Sequence, residues 1–307
     1  MAVQDPSERA RDLVRGSYDL HVHIEPDVMK RRTDDIDLAR RSLEVGIAGF
    51  VLKSHYVPTG ERASVVRKAV PGADARGGIT LNNSVGGMNP AAVEIAARSG
   101  TSVVWFPTVD SSNQRASQAR DPEGARPPMW AALQQELRGR GISSEPVPIL
   151  DGDGTVTEDV RQVLALIAEH NMALATGHLS ATEIMTVVAA AVEAGVERVI
   201  VTHPEFTSQR VPADAQRELA ARGAYLERCF TTPYTGKVAW EEMFANIRAS
   251  GPEHSVIASD LGQPFNPPVE DGLALMADQL LAAGFTEKEI SVMTVRNSRR
   301  LVGAAEA

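Results

Sequence analysis

Short runs rich in Val, Ile, Leu and Ala, each leading through a polar loop into a helix-like stretch, recur about eight times along the chain, and this rhythm constrains the fold more than any other feature. The runs predict strands over residues 18–24, 48–54, 75–82, 102–107, 172–177, 198–202, 224–229 and 255–259. Between them, apolar residues recur at three and four spacing, as in Val160, Val163, Leu164 and Ile167, or Leu273, Met276, Leu280 and Leu281. Each such helix presents one face that can cover a sheet. Alternating strands and helices in this number predict an α/β fold, a parallel (β/α)8 TIM barrel rather than an open doubly wound sheet. The length of 307 residues fits one barrel domain spanning 1–307.

Two stretches interrupt the rhythm. Residues 108–128 are long, polar and placed after the fourth strand, where a barrel carries active-site loops. Residues 146–157, with Asp151-Gly152-Asp153-Gly154, predict a small hairpin inserted before the fifth strand. Its aspartates lack the ligand spacing of a calcium loop and read as turn residues.

Composition excludes some functions. A net charge of -9 and an isoelectric point near 5.4 argue against nucleic-acid binding, which needs clustered Lys and Arg, and leave a small-molecule partner as the expectation. Self-association into a homo-oligomer stays open. Cys229 is the only cysteine, so no intrachain disulfide forms and no oxidising compartment is implied. Residues 1–15 lack an apolar run that would act as a signal peptide, and no later stretch approaches a membrane span, so a cytoplasmic location is expected.

The polar residues at the strand ends carry the chemistry. Of seven histidines, His21, His23, His55, His178 and His203 fall at C-terminal ends of predicted strands, the end where barrel enzymes build their sites, whereas His170 and His254 precede strands. In Asp19-Leu20-His21-Val22-His23, the period of two sends Asp19, His21 and His23 to one face and Leu20 and Val22 to the other. Alone, that His-X-His also describes two ordinary histidines on a half-buried strand. Thr176-Gly177-His178-Leu179-Ser180 and Val201-Thr202-His203-Pro204-Glu205 add two more histidines that converge on the same end. The last strand closes as Ile257-Ala258-Ser259-Asp260-Leu261-Gly262, making Asp260 either a helix cap or a site carboxylate. Lys53 and His55 share a face of the second strand; for Lys53 the structural alternative is an ion pair with Asp19 or Glu25.

Weaker candidates surround these. Ser180-Ala181-Thr182-Glu183 reads as a capping box. His55, Tyr56, Asn82 in its glycine-containing loop, and Arg228 at the end of the seventh strand are the candidate substrate contacts. For Arg228 a surface ion pair is the competing reading, and for Asn82 a plain turn.

From Asp19-Leu20-His21-Val22-His23 through His178 and His203 to Asp260, and on to the closing Asn297-Ser298-Arg299-Arg300-Leu301-Val302-Gly303, the sequence resembles the metal-dependent amidohydrolase superfamily over nearly its whole length. The resemblance implies a hydrolase that cleaves an amide, cyclic amide or ester/lactone bond of a small molecule with metal-activated water. It implies one or two divalent ions, zinc first for this donor set, with manganese or iron as alternatives. His21 and His23 would hold the more buried ion, and His178 and His203 would bind or border a second position. Asp260 would touch metal and carry the proton, and His203, if not a ligand, would stabilise the developing oxyanion. The sequence departs from the family at the fourth strand, where Ser102-Val103-Val104-Trp105-Phe106-Pro107 offers no bridging lysine or glutamate. Lys53 is the candidate for a carboxylated bridge from another strand, or for a cation facing an anionic substrate. The missing bridge keeps a mononuclear decarboxylase or hydratase in view, and a non-catalytic metal-binding barrel is the remaining alternative.

Overall fold

A computed structural model describes residues 5–118, 128–142 and 145–305. Its eight strands form one sheet in the order of the sequence, every neighbouring pair parallel: β1 (Tyr18–Val22), β2 (Gly49–Leu52), β3 (Asp74–Thr80), β4 (Thr101–Trp105), β5 (Ala173–Ala175), β6 (Val199–Val201), β7 (Tyr225–Cys229) and β8 (Ser255–Ala258). This is the predicted (β/α)8 barrel. Most strands stop one or two residues before the predicted C-terminal limits.

Burial divides the strand faces. On the outside, Phe50 and Leu52 pack with Leu38, Leu273, Met276 and Leu280, while Val104, Leu174, Val201 and Leu226 pack with Val160, Val163, Ile184 and Val187. These helical residues are the three-and-four-spaced faces of the sequence. Inside, Leu20, Val51, Val103, Ala173, Ala175, Ile200, Val256 and Ala258 fill the barrel. They form a packed floor beneath the loop-bearing end.

β1 breaks its own alternation. Asp19 pairs with Phe50 and Val22 with Leu52, so three steps on β1 match two on β2, which is a β-bulge. Asp19 therefore shares the face of Phe50, Leu20 joins the barrel interior, and the phase resets before His21. The expected common face of Asp19 with His21 and His23 is corrected accordingly. Asp19 Oδ1 accepts from the N–H groups of His21 (3.2 Å) and Ser259 (3.0 Å). Burial outweighs those bonds and pushes its carboxyl up to about 7.

The barrel closes just beyond the ends of β1 and β8. The Asp260 N–H donates to the His21 carbonyl (2.9 Å), and the His23 N–H donates to the Leu261 carbonyl (2.8 Å). Gly262 has φ +132°, and a Cβ there would collide with the His23 carbonyl, so glycine is needed for the closing loop to pass.

The insertion before β5 is reduced to one antiparallel bridge, Leu150 with Val156. The Asp151 carboxylate accepts from the N–H groups of Asp153 and Thr155 and from the Thr155 hydroxyl, as a turn residue does. The long polar stretch after β4 contains a helix, Ser112–Gln118, and its part at 119–127 lies outside the described residues. Among the described residues no helix is long and apolar enough to cross a membrane.

Candidate metal centre

A pocket of about 450 Å³ opens at the C-terminal end of the barrel. His23, Lys53, His55, His178, His203 and Asp260 line its floor, while Trp130, Phe206 and Phe265 form apolar wall. His21 lies just beneath, fully buried. The structure thus brings five of the seven histidines together; His170 pairs with Glu94 elsewhere.

Barrel closure places the central group. His21 and His23 leave β1 toward the pocket, and the Asp260 backbone is fastened to His21. Asp260 Oδ1 then lies 3.3 Å from His21 Nε2 and 3.2 Å from His23 Nε2. Asp260 (φ 52°) and His203 (φ 24°) both take backbone conformations that non-glycine residues rarely adopt, a strain that clusters at functional sites. Thr231 Oγ1 donates to Asp260 Oδ2 at 3.1 Å, leaving Oδ1 toward the histidines.

Electrostatics keep the imidazoles neutral. Burial holds His21 down to about 3 and His203 down to about 4, and it drives His23, His55 and His178 well below the ordinary histidine range. His21 Nδ1 lies 3.2 Å from Glu227 Oε2; the carboxylate accepts, so the proton sits on Nδ1 and Nε2 presents a lone pair. That lone pair faces the Asp260 carboxylate, an arrangement that calls for a cation. In the structure Lys53 Nζ supplies one, 2.9 Å from His21 Nε2, with Trp105 beneath it. Burial lowers the Lys53 pKa, while Asp260 and Glu227 push it back up.

The donor set fits a divalent ion. Neutral imidazoles and a carboxylate are the deprotonated forms a metal needs. A tetrahedral zinc with bonds of about 2.0–2.1 Å has ligand-to-ligand edges of about 3.3–3.4 Å, close to the 3.2–3.3 Å separations at Asp260. Among the described residues, Nδ1 of His23, His178 and His203 is buried without a hydrogen-bond partner. His178 and His203 stand outside the tight group, their rings 5.0 Å apart and His203 5.9 Å from His21. A second group, His21, Glu227 and Cys229, reuses His21 from below. It suits a metal less well, because burial raises the Cys229 thiol well above its ordinary value.

Three candidate substrate contacts are corrected. Arg228 points away from the pocket: it is fully buried, ion-paired to Glu205, and donates to Gln216 (2.7 Å) and Ser250 (2.9 Å) behind the sheet. Asn82 spends its side chain joining loops, donating to the His55 carbonyl and Thr108 Oγ1 and accepting from the Thr108 and Asp110 N–H groups. Tyr56 packs with Val109 and Trp130 in a satellite cluster instead of lining the pocket. His55 does line it, its Nδ1 2.9 Å from Thr108 Oγ1. Glu183 closes a capping box with Ser180.

A family model described as "Family of unknown function (DUF6282)" matches residues 16–227, more than half of the chain. The chain belongs to the DUF6282 family. No curated protein matches this DUF6282 member. Among solved structures it resembles an amidohydrolase from Pseudomonas aeruginosa (11% identity, 98% of this chain and 100% of that one, TM-score 0.60). It also resembles a probable dipeptidase from the same organism (10%, 96% and 96%, 0.61) and a putative 2-pyrone-4,6-dicarboxylic acid hydrolase from Pseudomonas putida (18%, 94% and 97%, 0.55). At such identities the likeness is one of fold, and the DUF6282 chain shares the barrel of these three structures.

Sequence reasoning missed Glu227, Arg31 and Thr231. For Glu227 the signal was available: Tyr225, Glu227 and Cys229 alternate with Leu226 and Arg228, and Leu226 faces the helices. Arg31 sits in a loop and Thr231 opens a four-residue helix, Thr231–Tyr234, both too short of regular pattern for a period to mark direction.

Proposed function

We propose that the protein is a metal-dependent hydrolase of amidohydrolase type, cleaving an amide, cyclic amide or ester/lactone bond of a small molecule. The observation that carries this reading is the meeting of His21 Nε2, His23 Nε2 and Asp260 Oδ1 at 3.2–3.3 Å with the imidazoles held neutral. His21, His23 and Asp260 would hold the ion, with zinc as first choice. A bound divalent ion supplies Lewis acidity, lowering the pKa of water and polarising a carbonyl.

The chain's own groups divide the remaining work. Glu227 fixes the tautomer and direction of His21, as a carboxylate behind a ligating histidine does. Thr231 holds Asp260 Oδ2 and so turns Oδ1 toward the histidines, and the carboxylate takes up a proton and returns it to the leaving nitrogen or oxygen. His203 and Lys53 face the reacting carbonyl and stabilise its developing charge. Lys53 competes with a bound cation for the His21 lone pair, so on loading it either withdraws as the cation that faces the carbonyl or, as a free amine, takes up CO2 and releases a proton to give a carbamate, which would leave charge stabilisation to His203. Intact mass in bicarbonate separates the two, since only the carbamate adds the mass of CO2. The buried, single Cys229 suits the reducing cytoplasm.

The test is elemental analysis of the purified protein beside a panel of N-acyl amino acids, lactams and lactones. Wild type should hold a divalent ion and hydrolyse a member of the panel. His21→Ala with His23→Ala should lose the ion while circular dichroism still reports a folded barrel; full occupancy in that variant would sink the assignment. A second reading, a mononuclear decarboxylase or hydratase, draws support from β4, which sets Trp105 under the site where a bridging ligand would stand. Release of CO2 or loss of water without hydrolysis would favour it.

A further inference from the structure

Arg31 follows β1 in the chain and lines the same pocket as His23, Lys53 and Asp260, yet it is only 5% exposed. Its Nε and Nη2 both lie 2.7 Å from Asp27 Oδ2, and its backbone N–H donates to Glu25 Oε1 at 3.1 Å. Asp27 is itself nearly inaccessible and takes no part in the pocket lining, so it grips one edge of the guanidinium from behind. Nη1 has no acceptor among the described residues. No Arg31 atom is a buried orphan among the described residues; Nη1 is open to the pocket that Arg31 lines, where a planar oxyanion matches the guanidinium fork.

The rest of the pocket agrees in charge and shape. Among the described residues, Arg31, Lys53 and Lys237 share the lining with a single carboxylate, Asp260, and that carboxylate is already engaged with the histidines. Trp130, Phe206 and Phe265 supply an apolar wall. A pocket of about 450 Å³ limits the guest to a small molecule. One guanidinium edge beside apolar wall suits a singly charged carboxylate better than a phosphate, which needs more donors.

We propose that the substrate carries a carboxylate, received by Arg31, with its apolar body along Trp130, Phe206 and Phe265. Calling the guest a substrate rests on the hydrolase reading; the capture of the carboxylate rests on Arg31 alone. Titration calorimetry on the full chain with benzoate, its neutral isostere benzamide, and inorganic phosphate tests this in both chelator-treated and metal-loaded protein. Benzoate should bind at least about tenfold more tightly than benzamide or phosphate, the scale of one charge-assisted pair. Arg31→Met should erase that preference, and Arg31→Lys, which keeps the charge but not the fork, should recover only part of it. Arg31→Lys also serves if the methionine variant does not fold. Equal binding of benzoate and benzamide, a preference for phosphate, or a benzoate preference undiminished in the variants overturns the proposal. Benzoate bound only by loaded protein and indifferent to Arg31 would place the carboxylate on the metal, ending this inference while leaving the hydrolase reading intact. Arg31-dependent benzoate binding in a chain that takes up no metal would do the reverse.

Discussion

Glu227 and Arg228 are adjacent in sequence and opposite in role: one meets His21 inside the barrel, the other is locked behind the sheet. Removing the first should act on the metal. Glu227→Ala should weaken metal affinity about 10–100-fold, read by competition with a chelator, because His21 loses the group that sets its tautomer. Asp260→Asn separates proton transfer from binding, since asparagine keeps an acceptor oxygen but takes no proton at neutral pH. Turnover should fall at least about 10²-fold while metal content falls far less, and near-normal turnover would refute the role. The five converging histidines and Asp260 were legible because each ends an apolar run. For Arg228 the ion-pair reading is the one the structure shows, though buried and not at the surface, because its parity sets it opposite Glu227. Arg31 was illegible, since only the fold brings a loop arginine, gripped from behind by Asp27, into the pocket wall.

At the scale of elements, the eight units and their helix faces were legible because period and burial agree along most of the chain. β1 was the exception: a bulge leaves no mark in the alternation of Asp19-Leu20-His21-Val22-His23, and it exchanged the faces of Asp19 and Leu20 without moving the histidines. Predicted strand ends overran because the residues there are polar but uninterrupted by proline or glycine in most units. The Arg228 network ties β7 to the helices Ala213–Ala221 and Trp240–Ser250 through Gln216 and Ser250. Arg228→Ala leaves Glu205 buried without its counter-charge, so urea unfolding should show a loss of about 3–5 kcal/mol. If the variant instead kept its stability and lost only ligand affinity, Arg228 would serve the pocket and not the packing behind the sheet.

Across the whole molecule, the buried histidines make metal-free stability depend on pH. His21 is held down to about 3 and His203 to about 4, against 6.5 for the unfolded chain. The unfolded chain therefore takes up protons first, and the stability present above pH 6.5 is lost as pH falls toward those folded values. By pH 5 each of the two costs about 2 kcal/mol, a large part of the 5–15 kcal/mol typical of a whole domain. Asp19, held up to about 7, works in the opposite direction, and Glu227 joins it. His23, His55 and His178 add to the histidine side, so the net slope is a lower Tm on going from pH 7 to 5. A Tm that rises over that interval in chelator-treated protein would contradict this balance. The closure between His21, His23 and the segment at Asp260 has a mechanical consequence as well. An ion shared across that seam would be a cross-link between the two ends of the chain, shutting a ring of more than two hundred residues and removing loop-closure entropy from the unfolded state as a long-range disulfide does. Stripping the ion would then unzip the barrel at its first and last strands, and amide exchange there would quicken before it does in β4 or β5.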